Sequence, residues 1–180
     1  MNDAIEEYST AKGERVRIFY DLEPISPRED CDQLGEILYT STKYILGDRQ
    51  VDVEEIEEII GREDVVYLPV YAFIHGGTTI STGGFGCPFD SGMCGIIWVS
   101  KEEMKAQILS EKVTLGILEA EIKEFDTYLR GEVYGFVVEK PITCEYCGNT
   151  EWEEVQSCWG FYGFDYTVDA AKEDYPKEEV

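Results

Sequence analysis

The residues whose types and spacing most directly suggest chemistry are Cys144-Glu-Tyr-Cys147-Gly148, two thiols three positions apart followed by glycine. Thiolates presented this way by a tight turn form one knuckle of a zinc ribbon, so Cys144 and Cys147 are candidate metal ligands. A tetrahedral structural site needs two more donors. Cys158, Cys87, Cys94 and His75 are available at no recognised ligand spacing, and a plain turn with free thiols fits the same residues. His75 is the only histidine, so any Ser/His or Cys/His catalysis has to use it. His75-Gly76-Gly77 matches the oxyanion loop of esterases in outline, but no Gly-x-Ser-x-Gly elbow accompanies it. Neither a Gly-x-Gly-x-x-Gly turn nor a P-loop lysine is present to cradle phosphates. With 38 acidic residues, no carboxylate pair stands out as acid and base. These residues predict a protein that is not an enzyme and needs no cofactor. The alternative is a zinc-binding accessory protein or small hydrolase using Cys144, Cys147 and His75.

A second kind of candidate lies in residues 64 to 99. The apolar run from Val65 to Ile74 reads as a strand buried on both faces, and Gly95 to Val99 is a shorter run of the same kind. Between them, Gly76, Gly77, Gly83, Gly84, Gly86 and Gly92 with Pro88 permit positive φ but cannot continue a regular element. This predicts a central hairpin with an elaborate loop, and Thr78 to Thr82 fits either that loop or one more short strand. Long loops in compact domains are more often functional than idle, which makes Phe85, Phe89, Asp90 and Met93 candidate partner contacts.

The surrounding elements follow from periodicity. Arg15 to Tyr20 alternates as a strand, with Val16, Ile18 and Tyr20 on one face and Arg17 and Phe19 on the other. Residues 36 to 46 fit a strand or a helix end. Residues 52 to 60 predict a short helix with Val53, Ile56, Ile59 and Ile60 inward. Its Glu54, Glu55, Glu57 and Glu58 form the densest acidic patch, readable as a solvated face or a partner-binding one. Ser100 with Glu103 is a capping box opening a helix, and Leu115, Leu118, Ile122, Phe125 and Leu129 make a second helical stripe. Gly116 favours a break between them. Residues 132 to 139 and 152 to 159 predict a hairpin around the cysteine turn. Residues 1–13 and 165–180 look frayed or mobile. The expected fold is one α+β domain over residues 1–180, a mixed, mostly antiparallel sheet of about five or six strands with the 101–130 helices on one face.

Charge bounds the partners. The 38 acidic residues against 15 lysines and arginines give a net charge of −23. Such a field repels nucleic acid and anionic membranes and attracts basic surfaces, so direct nucleic-acid binding is not expected without a partner. A body roughly 40 Å across carries about as much charge as duplex DNA of that length, about 24 at one per ~1.7 Å, so a DNA mimic is conceivable if the carboxylates cluster. The first fourteen residues contain no basic segment and no apolar stretch of signal-peptide type, and no run approaches a membrane span. A cytoplasmic location is therefore expected, with free thiols or a metal rather than disulfides.

Four stretches, LPVYAFIHGGTTIST, CPFDSGMCGIIWVSKE, EFDTYLRGEVYGFVVE and SCWGFYG, resemble a family of small acidic proteins encoded by phages and mobile elements of Gram-positive bacteria. That family includes anti-CRISPR inhibitors of Cas9. The similarity runs across roughly residues 16 to 163 and carries no established functional residues with it. It implies an anti-defence protein in the host cytoplasm. Its partner would be a Cas9-type nuclease, which holds nucleic acid in positively charged channels and reads its PAM with arginines. A phage regulatory or structural partner protein is the remaining alternative.

Overall fold

In the computed structural model, which describes residues 3–30, 32–87 and 89–178, the chain forms the following elements in order. They are β1 (Glu6–Ser9), β2 (Arg15–Tyr20), α1 (Pro27–Asp30), β3 (Glu36–Tyr39), β4 (Arg49–Gln50), α2 (Val53–Ile60), β5 (Val65–Ile74), β6 (Thr78–Ser81) and β7 (Ser91–Ser100). After them come α3 (Lys101–Ala106), α4 (Glu111–Leu129), β8 (Val133–Thr143), β9 (Thr150–Tyr162) and α5 (Phe164–Asp174). The fold is α+β and dominated by antiparallel pairing. Where one sheet is expected, the strands fall into two, ordered β1-β2-β8-β9 and β4-β3-β7-β5-β6. The chain likewise divides into two compact units, Met1–Ile25 with Gly131–Val180, and Ser26–Arg130, each holding one sheet.

In the 26–130 unit, the unbroken apolar runs follow from burial on both faces of the sheet. Consecutive residues divide between two clusters: Ile37, Val66, Ile97 and Val99 pack with Leu118, Ile122 and Phe125 of α4, whereas Leu38, Val65 and Ile96 pack with Ile56 and Ile59 of α2. The 101–130 helices thus lie on one face, as expected, and α2 covers the other. Each fully buried side chain of the α4 stripe contributes on the order of 1.5–3 kcal/mol. Strands β3 and β7 approach so closely that a Cβ at Gly95 would lie 1.9 Å from the Leu38 carbonyl oxygen, so only glycine fits there. Thr78–Ser81 is a strand, paired with Tyr71–Ile74 of β5.

Several expectations about the helices change. Val53 of α2 is exposed, because the two inward positions are Ile56 and Ile59. The break between α3 and α4 falls at residues 107–110, not at Gly116, which lies inside α4. Ile108 there has φ +57°, and the Ser110 hydroxyl accepts from Val113 N to open α4. The Ser100 half of the capping box is present, its Oγ accepting from Glu103 N at 3.1 Å.

In the second unit, where fraying is expected at residues 1–13 and 165–180, the described parts of both ends form regular elements; Met1 and Asn2 lie outside the described residues. β1 pairs antiparallel with β2, and α5 lays Val168 and Ala171 on a core of Tyr8, Val16, Ile18, Tyr134, Phe136 and Val138. Among residues 165–180, the described part is helical through Asp174, and Thr10 bridges Lys177. Glu179 and Val180 lie outside the described residues.

Candidate functional site

The acidic helix α2 begins at Asp52, whose carboxylate caps Glu55 N at 2.9 Å. Burial of Ile56 and Ile59 turns the glutamates outward. Glu55 is taken by Arg49, its Oε1 lying 2.7 Å from Nη1, while Glu54, Glu57 and Glu58 stand exposed. Those three occupy positions i, i+3 and i+4, one strip of the helix. The last turn contains no basic residue, so Glu57 and Glu58 face the negative end of the helix dipole uncompensated.

The glycine-rich loop joins β6 to β7. Phe89 of the loop is 94% exposed, and Met93, near the start of β7, is 48% exposed. Phe85 is not free in the same way; it is half-buried against Phe73, ring centroids 5.8 Å apart. Asp90 Oδ2 lies 3.4 Å from His75 Nδ1 and accepts from the Cys87 thiol at 3.8 Å. The carboxylate, not the imidazole, faces the thiol, so His75 does not act as a base on Cys87 in this arrangement. The loop and α2 sit at opposite ends of β5, a ten-residue strand about 30 Å long, and do not merge into one patch.

The cysteine pair forms the tip of the β8–β9 hairpin. Cys144 N donates to Asn149 O at 2.8 Å, Gly148 N donates to Cys144 O at 2.9 Å, and Gly148 takes φ +73°. The backbone N–H groups of Cys147 and Tyr146, together with the Cys147 side chain, draw the Cys144 thiol below its ordinary pKa. Both cysteines are exposed, and Tyr146 between them is fully so. Among the described residues, no three histidine, cysteine, aspartate or glutamate side chains converge on a point where a metal could sit. Neither His75 nor another described cysteine therefore completes the knuckle. Cys94 is half-buried against the core, and that burial pushes its thiol up to about 11.

Two arrangements were not foreseen. Arg28 is buried between Asp48 and Glu121: its Nε donates to Asp48 Oδ1 at 2.8 Å and its Nη1 to Glu121 Oε2 at 3.1 Å. Burial opposes the charge on Arg28, but the hydrogen bonds to Asp48 and Glu121 outweigh it and raise its pKa. Glu121 Oε1 also accepts from Leu34 N at 2.7 Å, and Asp48 Oδ2 from Ile37 N at 2.7 Å. The second arrangement is an aromatic face on the four-stranded sheet, where Arg15 lies over Trp152 (4.3 Å) and Arg17 over Phe19 (4.9 Å). Trp159 lies against Gly135, where a Cβ would come within 2.3 Å of its ring. With Phe19, Tyr20, Leu22 and Val137, Trp159 lines a groove of ≈ 460 Å³. Alternation in β2 showed Arg17 and Phe19 sharing a face; Trp159, which Phe19 meets, and Trp152, under Arg15, come from β9, more than a hundred residues away.

What the fold and surfaces define is an α+β protein with two antiparallel-dominated sheets. Among the described residues no helix is long and apolar enough to cross a membrane. Compared with protein-family models, curated proteins and solved structures, the chain matches none.

Proposed function

We propose that the protein is a non-catalytic, acidic inhibitor that binds a basic nucleic-acid-processing protein, the resemblance in sequence pointing to a Cas9-type nuclease. The observation that carries this reading is the state of α2. Like charges at helical spacing cost about 0.2–0.5 kcal/mol per pair, and anions in the last turn oppose the dipole, so folding alone does not account for Glu57 and Glu58. A basic surface does account for them. Phe89 and Met93 add apolar contact area at a separate place on the same unit.

The test uses a guide-loaded Cas9-type effector from a Gram-positive bacterium, with association followed by stopped flow and DNA cleavage by gel. Glu57→Lys with Glu58→Lys should stabilise the free protein slightly yet lower the on-rate by about tenfold, the lower end of electrostatic steering effects. The same two changes at exposed Glu102 and Glu119 should have a smaller effect. The wild-type on-rate should fall as the Debye length shortens from ~30 Å at 0.01 M salt to ~8 Å at 0.15 M. Phe89→Ala should raise the off-rate and leave stability within about 0.5 kcal/mol of wild type. No binding and no inhibition would overturn the reading and leave the regulatory or structural role. Equal slowing by both charge pairs would show that net charge acts and that α2 is not the contact.

A further inference from the structure

The tip of the β8–β9 hairpin presents two exposed free thiols on one tight turn, half the donors of a tetrahedral metal site. Cys144 and Cys147 leave the same turn, and Gly148 in the left-handed conformation, its N–H donating to the Cys144 carbonyl at 2.9 Å, lets the chain close back on Cys144. Closed zinc sites of this kind are four-coordinate and tetrahedral. Among the described residues no third donor is within reach. Cys158 lies eight residues along β9 from Thr150, about 26 Å from the tip. The outer part of the hairpin is exposed on both strands from Lys140 to Cys158, so nothing in its own unit blocks an approach to the sulfurs.

We propose that Cys144 and Cys147 bind zinc jointly with the same two residues of a second copy of this chain, forming a tetrathiolate site on a two-fold axis. Tip-to-tip pairing is isologous: each knuckle supplies two donors and the symmetry supplies the other two. In the reaction, four thiols and one Zn²⁺ give a tetrathiolate complex of charge −2 and release four protons, with no change in oxidation state. The assembly is metal-dependent, and each protomer keeps its fold without zinc because the core of the hairpin's own unit, built on Val16, Ile18, Phe136 and Val138, includes no residue of the tip. Glu145 and Glu151 flank the tip, so the two copies repel and added salt favours the dimer. That sign is opposite to the one expected for binding a basic partner.

The test is sedimentation velocity on the full chain under a non-thiol reductant, with zinc chloride added and bound metal measured by elemental analysis. The expected result is about half a zinc per chain and a doubled mass. A chelator should reverse the doubling with no change in the far-ultraviolet circular dichroism. Cobalt(II) in place of zinc should give the intense visible bands of tetrahedral tetrathiolate cobalt. Cys144→Ser and Cys147→Ser should each abolish metal binding and dimer together, while Cys158→Ser changes neither. One zinc per monomer, no zinc, a dimer that survives Cys147→Ser, or unfolding on chelation would each overturn the proposal.

Discussion

At the scale of single residues, the least accessible charges are the most consequential for the fold. The Arg28 side chain is 6% exposed, yet its guanidinium is met by two carboxylates, and each carboxylate also takes a backbone N–H from the edge of β3. The group thus holds α1, the start of β3, the turn before β4 and the middle of α4 in one arrangement. Replacing one partner of such a set leaves the others buried and uncompensated, which typically costs 3–5 kcal/mol. Glu121→Gln keeps the size of the side chain but puts an amide where three donors converge. We expect it to lower the unfolding free energy by about 3 kcal/mol in urea titration at unchanged m-value. A loss under about 1 kcal/mol would show that water replaces the carboxylate at no great cost. Nothing in the sequence marked these residues, because Arg28, Asp48 and Glu121 are far apart along the chain and each sits among other charges.

At the scale of elements, what was legible depended on whether one segment's own pattern decided its fate. The 3–4 spaced stripe of α4, the alternation of β2 and the N-cap at Ser100 are local signals, and all three appear in the structure. Gly116 misled because a glycine inside a well-packed helix costs only about 1 kcal/mol, which burial of Leu118, Ile122 and Phe125 exceeds. The chain ends misled for a different reason. Their apolar content is low, but Tyr8, Val168 and Ala171 are placed where β1 and α5 meet the sheet, and pairing with β2 supplies the rest. Tyr8 fastens that corner by donating its hydroxyl to the Tyr175 carbonyl at 3.0 Å. Burial, with a smaller contribution from Glu6, raises its phenol from 10.0 to about 12. The folded state then holds a proton that the unfolded chain releases near pH 10, so Tyr8 stabilises fully below pH ~10 and its contribution is lost as pH rises towards about 12. Tyr8→Phe should be less stable than wild type at neutral pH, and the gap should narrow as thermal melts are taken from pH 9.5 upward. Parallel curves for the two proteins would mean that the phenol ionises as it does in water.

At the scale of the whole molecule, the charge was legible from composition and the two-unit organisation was not. Sequence continuity hides the division, because one unit is assembled from the first 25 residues and the last 50, and β2 finds its neighbour β8 only after the other unit has been completed. The candidate site shows the same split. The α2 glutamates and the exposed Phe89 and Met93 could be named from local pattern, whereas the Arg15–Trp152 and Phe19–Trp159 contacts depend on strand pairing across the chain. Charge acts on folding as well as on binding. With 38 acidic and 15 basic residues, ion pairs cannot neutralise the surface, and the compact state concentrates a repulsion that the unfolded chain relieves. Salt should therefore stabilise this protein, where it would weaken one held together chiefly by surface ion pairs. The melting temperature in sodium chloride should rise between 0.01 and 0.15 M by about 2–4 °C per kcal/mol of repulsion screened, with most of the gain reached once the Debye length falls to ~8 Å. Exposed pairs such as Arg62–Asp64 lose strength over the same range, but pairs so open to solvent are too weak and too few to reverse the sign. Unfolding by guanidinium chloride, itself a salt, should accordingly report a higher stability than urea extrapolation does. A melting temperature that falls with added salt would mean that the paired charges dominate and that the excess carboxylates are too dispersed to repel, which would also weaken the case that they cluster to meet a partner.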